Sequence, residues 1–139
     1  MRRLLVFVLS SLAFFVLPAS QAWAANKFWV GGTGNLDGVD TTHISNTTGG
    51  AGGAVYPGVG DTLIFDASSG GGTVTFTAAA SFAGITNGAH TGSIDTNGQT
   101  ITLSGTWNGS GSGVRTLNLS SSIVTVGTWN FGTVSRLTF

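Results

Sequence analysis

A tetrapeptide, Gly-Thr-Trp-Asn, occurs twice in the last third of this chain, and its spacing limits the folds that the chain can adopt. The copies are Gly105–Asn108 and Gly127–Asn130, 22 residues apart. Each copy follows a short run rich in β-prone residues, at 101–104 and at 123–126. A period near 22 residues is about the length of one coil of a parallel β-helix, whose repeats stack and bury a shared core. The spacing therefore predicts stacked β-structure.

Short β-prone runs separated by glycine-rich turns extend this pattern along the chain. Strands are predicted at 27–30, 61–66, 73–77, 82–86, 93–95, 100–104, 115–119 and 123–126. Three dipeptides suited to a turn with φ > 0 lie between them: Asn87-Gly88, Asn97-Gly98 and Asn108-Gly109. Such turns also suit antiparallel hairpins and hence a sandwich. The 22-residue period favours an all-β fold of another kind, a right-handed parallel β-helix of a few coils with an irregular N-terminal cap.

The start of the chain has the organisation of a secretory signal peptide. Arg2 and Arg3 precede an apolar stretch at 4–17, and Ala22-Trp23-Ala24 provides a small-x-small cleavage pattern. The apolar stretch is shorter than the roughly 20 residues of a membrane-spanning helix. We therefore expect export through the general secretory route, a secreted or cell-surface location, and no membrane span after processing.

Processing divides the chain into three parts. Residues 1–24 form the predicted signal peptide, with Ala25–Asn26 as an alternative cleavage site. Residues 25–60 contain one strand and a glycine-rich loop or cap, in which 35–57 is read as irregular. Residues 61–139 form the predicted β-helical repeat region. Because the sequence stops within a strand-like alternation, we expect this region to be truncated.

The composition after Ala24 excludes several classes of partner. These residues carry three Lys or Arg and five Asp, a formal net charge of −2, and no Glu or Cys. Nucleic acid is not expected to bind, because too few cations are present to neutralise phosphates. An anionic membrane surface is disfavoured for the same reason. Without disulfides, stability must come from hydrogen-bonded strands and their packing.

The first half of the chain resembles a group of known surface proteins. The order F-W-V-G-G-T-G-N-L-D from Phe28, D-T-T-H-I-S from Asp40 and P-G-V-G-D-T-L-I-F-D from Pro57 is similar to the start of bacterial and phage proteins with β-helical stalks. Autotransporter-associated strand-repeat proteins and tail-fibre-like proteins belong to this group. The resemblance implies a β-helical fold and a surface location, and it transfers no catalytic residue.

No catalytic, cofactor-binding or metal-binding residue is predicted. The segment Gly31–Gly38 approaches the calcium-binding pattern G-G-x-G-x-D, but Asp37 comes one residue late, so a plain turn is expected. His43 and His90 lack a second histidine at ligand spacing and are expected to be solvated loop residues.

The alternative function is a carbohydrate-active β-helical enzyme, which would need a pair of catalytic carboxylates. Glycoside hydrolysis normally uses two of them facing one groove. Asp61 and Asp66 bracket a predicted strand five residues apart, so their side chains are expected on opposite faces. Turn roles are therefore favoured for these aspartates.

The two repeated tryptophans are the residues most suited to a site. Trp107 and Trp129 could stack as a structural ladder, with Asn108 and Asn130 bonding along the turn, or could form exposed platforms for sugar rings. In an extended strand, the apolar residues before the first tryptophan would lie on the same face as that tryptophan. The two valines before the second tryptophan would lie on the opposite face from it. Either a bulge shifts the register at 122–127, or that strand is covered on both faces.

The sequence is most consistent with an exported, non-enzymatic module of an adhesin-like or fibre-like stalk. Its expected partners are a cell-surface glycan or further copies that associate through the β-helix ends. An ice-binding protein is the remaining alternative, because Thr73-Val74-Thr75 and Thr100-Ile101-Thr102 could align hydroxyls on a flat face.

Overall fold

The described structure contains twelve short β-strands. The computed structural model describes residues 24–111, 116–132 and 136–138, so the predicted signal peptide lies outside it except for Ala24. The strands are β1 (Asn26–Trp29), β2 (Gly34–Leu36), β3 (Ile44–Ser45), β4 (Thr62–Phe65), β5 (Thr73–Phe76), β6 (Ala80–Phe82), β7 (Gly84–Asn87), β8 (Ser93–Asp95), β9 (Ile101–Asn108), β10 (Thr116–Asn118), β11 (Val124–Asn130) and β12 (Arg136–Thr138). A 3₁₀ turn at Ala67–Ser69 follows β4. The all-β prediction is confirmed.

The strands form two sheets that the chain visits in turn. Sheet A has the order β11-β9-β7-β4-β1-β3, with β6 also paired to β9, and sheet B has the order β12-β10-β8-β5-β2. Sheet B is entirely parallel, and the described pairs of sheet A are parallel except for β1 with β3. The alternative of successive antiparallel hairpins is therefore wrong. No described helix is both long and apolar enough to cross a membrane.

The register of sheet A repeats with the same period as the tetrapeptide. Leu63 pairs with Ile85, Ile85 with Trp107, and Trp107 with Trp129. Side chains at the same register position on parallel strands project to the same face of a sheet. These four residues therefore form one column across β4, β7, β9 and β11.

Alternating apolar residues from both sheets meet in one core. In β4 and β5 the residues at alternate positions are buried, and their neighbours are more exposed, as expected for strands that are covered on one face. The buried apolar side chains form a single cluster: Trp29, Leu36, Ile44, Leu63, Phe65, Val74, Phe76, Phe82, Ile85, Ile94, Ile101, Leu103, Trp107, Leu117 and Leu119. The two sheets are therefore held together by packing.

A register shift between β9 and β11 explains why the apolar residues before the second tryptophan alternate differently from those before the first. Val126 pairs with Leu103, and Trp129 pairs with Trp107, so three steps along β11 match four steps along β9. A mismatch of one residue is a β-bulge, and it changes which face the following residues use. The shift lets both apolar residues in the first half of β11 match buried residues of β9 while Trp129 still lies over Trp107. Of the two alternatives from the sequence, the bulge is observed.

Two local expectations are wrong. The segment Gly31–Gly38, expected to be a plain turn, contains β2. The segment 35–57 is irregular for most of its length, and its short strand β3 pairs antiparallel with β1. The second wrong expectation concerns the Asn-Gly turns at 87–88 and 108–109. Gly88 N donates to Phe65 O at 2.8 Å and Gly109 N donates to Asn130 O at 2.6 Å, so these positions continue the ladder with negative φ. Local sequence does not reveal this pairing, because it depends on strands that lie far apart in the chain.

Candidate functional site

The two repeated tryptophans stack at one end of sheet A. Their ring centroids lie 5.4 Å apart, and the ring planes differ by 14°. The Trp107 side chain is fully buried, whereas Trp129 is 39% exposed on the last described strand of the sheet. Phe131 also contacts the Trp129 ring, with centroids 4.8 Å apart and planes at 37°. The pair therefore forms a ladder whose outermost ring is partly open to solvent.

Glycine before each tryptophan permits this stacking. Gly105 N donates to Ala83 O at 2.8 Å, and a Cβ on Gly105 would lie 2.7 Å from that oxygen. A Cβ on Gly127 would likewise lie 2.9 Å from the Gly105 carbonyl oxygen. Real Cβ atoms are not found so close to backbone oxygens. The glycine of Gly-Thr-Trp-Asn therefore lets the backbones of successive strands approach.

The two asparagines of the repeat occupy the same register position on neighbouring strands at this end of sheet A. Asn108 pairs with Asn130 across β9 and β11. Asn108 Oδ1 accepts a hydrogen bond from Ser110 N at 3.1 Å, so this side chain turns the backbone after β9. Asn130 is exposed. Trp129 and Asn130 are consecutive residues of β11, so their side chains project to opposite faces of the sheet.

All five aspartates of the chain accept hydrogen bonds from backbone N–H groups. The donors lie two or three residues away in each case, and Asp61 additionally accepts from the distant Ala25 N. In Asp37 these bonds, from Val39 N and Asp40 N, lower the pKa of the carboxyl group. Asp66 caps the 3₁₀ turn through Ser68 N at 2.8 Å. These carboxylates shape turns, which is a different use from a facing pair in a catalytic groove.

An aspartate, a histidine and a tryptophan form a cluster that sequence reasoning missed. Asp40 Oδ2 lies 2.8 Å from His43 Nδ1, and the His43 ring stacks on Trp29 with centroids 4.8 Å apart and planes at 7°. Trp29 Nε1 donates to Gly32 O at 2.8 Å. The spacing Asp-x-x-His is too common a signal to have identified this pair. The stack fastens the segment before β3 to the first strand of sheet A.

The expectation that both histidines are solvated is wrong. His90 is completely buried, and its ring lies 5.6 Å from that of Phe65, because the turn between β7 and β8 folds over the core. The side chain of His43 is 26% exposed. Within the described residues, no three of the His, Asp and Glu side chains cluster as metal ligands would.

The threonine rows occupy a mixed polar face. Thr73 and Thr75 flank buried Val74 on β5. The residues paired with them on the next strand of sheet B are Ser93 and Asp95, and those on the strand after that are Thr116 and Asn118. Successive strands thus place serine, aspartate and asparagine where a uniform ice-binding array would have threonine.

Comparisons of the chain with known protein families, with characterised proteins and with solved structures gave no match.

Proposed function

We propose that this chain is an exported, non-enzymatic β-helical module of a surface or extracellular protein, part of an adhesin-like or fibre-like stalk. The observation that carries the proposal is the register of sheet A, which repeats with the period of the tetrapeptide from Leu63 to Trp129. Two sheets whose strands pair mainly in parallel, with one such step per repeat, are what stacked coils require. In this proposal the coils are right-handed, the hand favoured for parallel crossover connections.

Stacked coils suit a stalk because each coil contacts only its neighbours. Such an architecture extends along one axis without needing a larger core. The low charge and the serine-, threonine- and asparagine-rich outer faces fit an exposed shaft better than a site for charged ligands. The resemblance of 28–66 to the start of stalk proteins supports the same assignment.

The last described strands offer a surface for self-association. β11 and β12 each pair with one described strand, and unpaired strand edges readily accept further β-structure. Ile123, just before β11, is 67% exposed, and Trp129, near the other end of β11, is 39% exposed. In this proposal, apolar side chains and open backbone groups together receive another copy of the chain.

A glycan is the second candidate partner, because Trp129 presents a partly open aromatic face. Tryptophan stacks on sugar rings through its large apolar face. A carbohydrate-cleaving activity has less support, since each aspartate is engaged by backbone donors.

Self-association can be tested with two matched substitutions. Ile123→Lys places a charge beside the open edge, and Val59→Lys changes an equally exposed residue, also at 67%, in a turn before β4. Sedimentation velocity over a range of concentrations should show association of the wild-type chain and of Val59→Lys, but less of Ile123→Lys. A wild-type chain that stays monomeric, or equal effects of both variants, would contradict assembly through this edge.

Export and the enzyme alternative need separate measurements. The intact mass of protein recovered outside the cytoplasm should correspond to a chain lacking residues 1–24, and a mass retaining them would exclude the signal peptide. Purified protein should release no sugar fragments from polysaccharides. Cleavage that is lost on substituting Asp61 or Asp66 would replace the stalk proposal with the enzyme.

A further inference from the structure

The backbone nitrogen at the predicted processing site contacts a carboxylate. Ala25 N donates to Asp61 Oδ1 at 2.9 Å, and the other oxygen of the same carboxylate accepts from Gly58 N at 2.8 Å. Ala25 directly precedes β1, and Asp61 directly precedes β4. Since β1 and β4 are parallel partners, with Asn26 opposite Thr62, this carboxylate joins the starting points of two neighbouring strands.

Cleavage after Ala24 would turn this contact into an ion pair. The peptide nitrogen of Ala25 would become an α-ammonium group, positively charged below a pKa of about 8. We propose that Asp61 is the binding site for this new terminus, so that processing fastens β1 onto β4. The inference rests on the proposed export, because without processing the ammonium group does not form.

The geometry requires no rearrangement for this step. Ala25 N already lies at hydrogen-bonding distance from Asp61 Oδ1, and both residues are partly buried. A positively charged donor adds direct Coulomb attraction to the hydrogen bond that the Asp61 carboxylate already accepts. Partial burial also reduces screening of the pair by solvent and salt. The charge would therefore strengthen a contact that the uncleaved chain makes with an uncharged donor.

The position of the cut matters. Cleavage between Ala25 and Asn26 would remove the donor to Asp61 and also the Ala25 carbonyl oxygen, which accepts from Thr62 N at 2.9 Å. A chain beginning at Ala24 would keep both hydrogen bonds but place the ammonium group one residue away, about 3.8 Å along the chain. Of these three starting points, Ala25 is therefore the one that places the ammonium group on Asp61.

Few other charged groups lie on the elements around Ala25. On β1, Lys27 donates through Nζ to Asn46 Oδ1 at 2.7 Å. Asp66 follows the far end of β4, where it caps the 3₁₀ turn that packs on β1, and β3 contributes no ionisable residue. Of the charged groups named on these elements, Asp61 is the one that accepts a hydrogen bond from Ala25 N.

The test compares two native starting points. Each chain is folded as a fusion and then cut by a protease that leaves either Ala25 or Ala24 as the first residue, so folding does not depend on the new terminus. Urea unfolding near pH 7 should give an unfolding equilibrium constant about fivefold lower for the chain beginning at Ala25. Asp61→Asn should remove this difference. Asp66→Asn, at the other end of β4, should destabilise both chains equally and preserve the difference.

The pH dependence supplies a second readout. The partner carboxylate raises the pKa of the α-ammonium group above its unfolded value of about 8. Its stabilising contribution is therefore complete below that value and is lost as the pH rises through the higher pKa of the folded chain. The advantage of the Ala25 start should disappear at alkaline pH.

Equal stability of the two chains near pH 7, or an equal penalty from Asp61→Asn in both, would overturn the inference. This experiment uses cut fusions and does not depend on export. Failure of the Ala25–Asp61 ion pair can thus be distinguished from failure of export, because export is judged by the mass of the protein found outside the cytoplasm.

Discussion

The rings of Trp107 and Trp129 stack 5.4 Å apart, although their exposed fractions are 1% and 39%. Two identical side chains at equivalent repeat positions thus lie in different environments. Trp107 is covered on both sides by β7 and β11, whereas β11 has one described neighbour. The inner ring belongs to the core, and the outer ring covers it while presenting part of its surface.

Replacing each tryptophan by alanine should separate these two roles. Trp107→Ala should lower the free energy of unfolding by about 3–5 kcal/mol, because it leaves a buried cavity. Trp129→Ala should cost about 1–2 kcal/mol, because less apolar surface is involved. Urea denaturation measures both, and the double variant should show a coupling of about 0.5–1.5 kcal/mol. Equal single costs would be inconsistent with the observed difference in burial.

The second prediction concerns two glycines in different surroundings. A Cβ on Gly92 would overlap the Gly72 carbonyl oxygen, whereas a Cβ on Gly60 would meet no atom within 4 Å. Gly92→Ala should therefore destabilise the protein by about 1–3 kcal/mol or more. Gly60→Ala should be neutral or stabilising by about 0.4–1 kcal/mol, because it restricts the unfolded chain. Thermal unfolding of the two variants provides the comparison, and a neutral Gly92→Ala would contradict the close approach.

A third prediction uses two residues in left-handed backbone conformations. Asn97 has φ 47° and Ser120 has φ 46°, in equivalent turns after β8 and β10. Serine is poorly suited to this region, so Ser120→Gly should raise the free energy of unfolding by a few tenths to about 1 kcal/mol.

Asn97→Gly is the matched comparison and should not stabilise the protein. Asparagine tolerates this conformation, and the Asn97 side chain also donates to Phe76 O at 3.3 Å. Chemical denaturation of both variants tests the pair. An equal gain from both substitutions would show that the Asn97 side chain contributes nothing.

The fourth prediction is a loss of stability in acid through Asp40. Hydrogen bonds from the Thr42 hydroxyl, from His43 and from the Thr42 backbone lower the pKa of Asp40 to about 2. Because the pKa of the folded state lies below the ordinary value of 3.8, the stabilising contribution is present above about pH 4 and is lost as the pH falls toward 2. NMR titration of the carboxyl group reports the pKa directly.

Thr42→Val tests the cause of that shift. It removes the hydroxyl that makes the largest contribution and should raise the pKa of Asp40 while leaving the chain folded. An unchanged pKa would mean that this hydroxyl does not hold the carboxylate in solution.

The predicted strands that the structure matches best are those with clear alternation. β5 and β8 lie within or coincide with runs predicted at 73–77 and 93–95, because alternating apolar residues fit strands covered on one face. β2 was missed because its Gly-Asn-Leu sequence has turn character. It is extended because it pairs in parallel with β5, a strand that lies far from it in the sequence.

The candidate site was likewise predictable from the sequence only in part. The sequence identified the two tryptophans and asparagines through their repeat, but it left open whether a bulge or a second covering layer explained their parity. The register shift between β9 and β11 decides this. The burial of His90 and the stack of His43 on Trp29 involve residues whose neighbours in sequence are polar and glycine-rich, so no local pattern indicated either.

The sequence alone determined the repeat period, the all-β character and the small number of charged groups, since these depend on composition and local alternation. The tertiary structure decided the parallel pairing, the position of the bulge and the contact between Ala25 and Asp61. Each of these depends on segments that lie far apart in the chain. Local preferences act over a few residues, whereas parallel strands gain their hydrogen bonds and packing only from such distant partners.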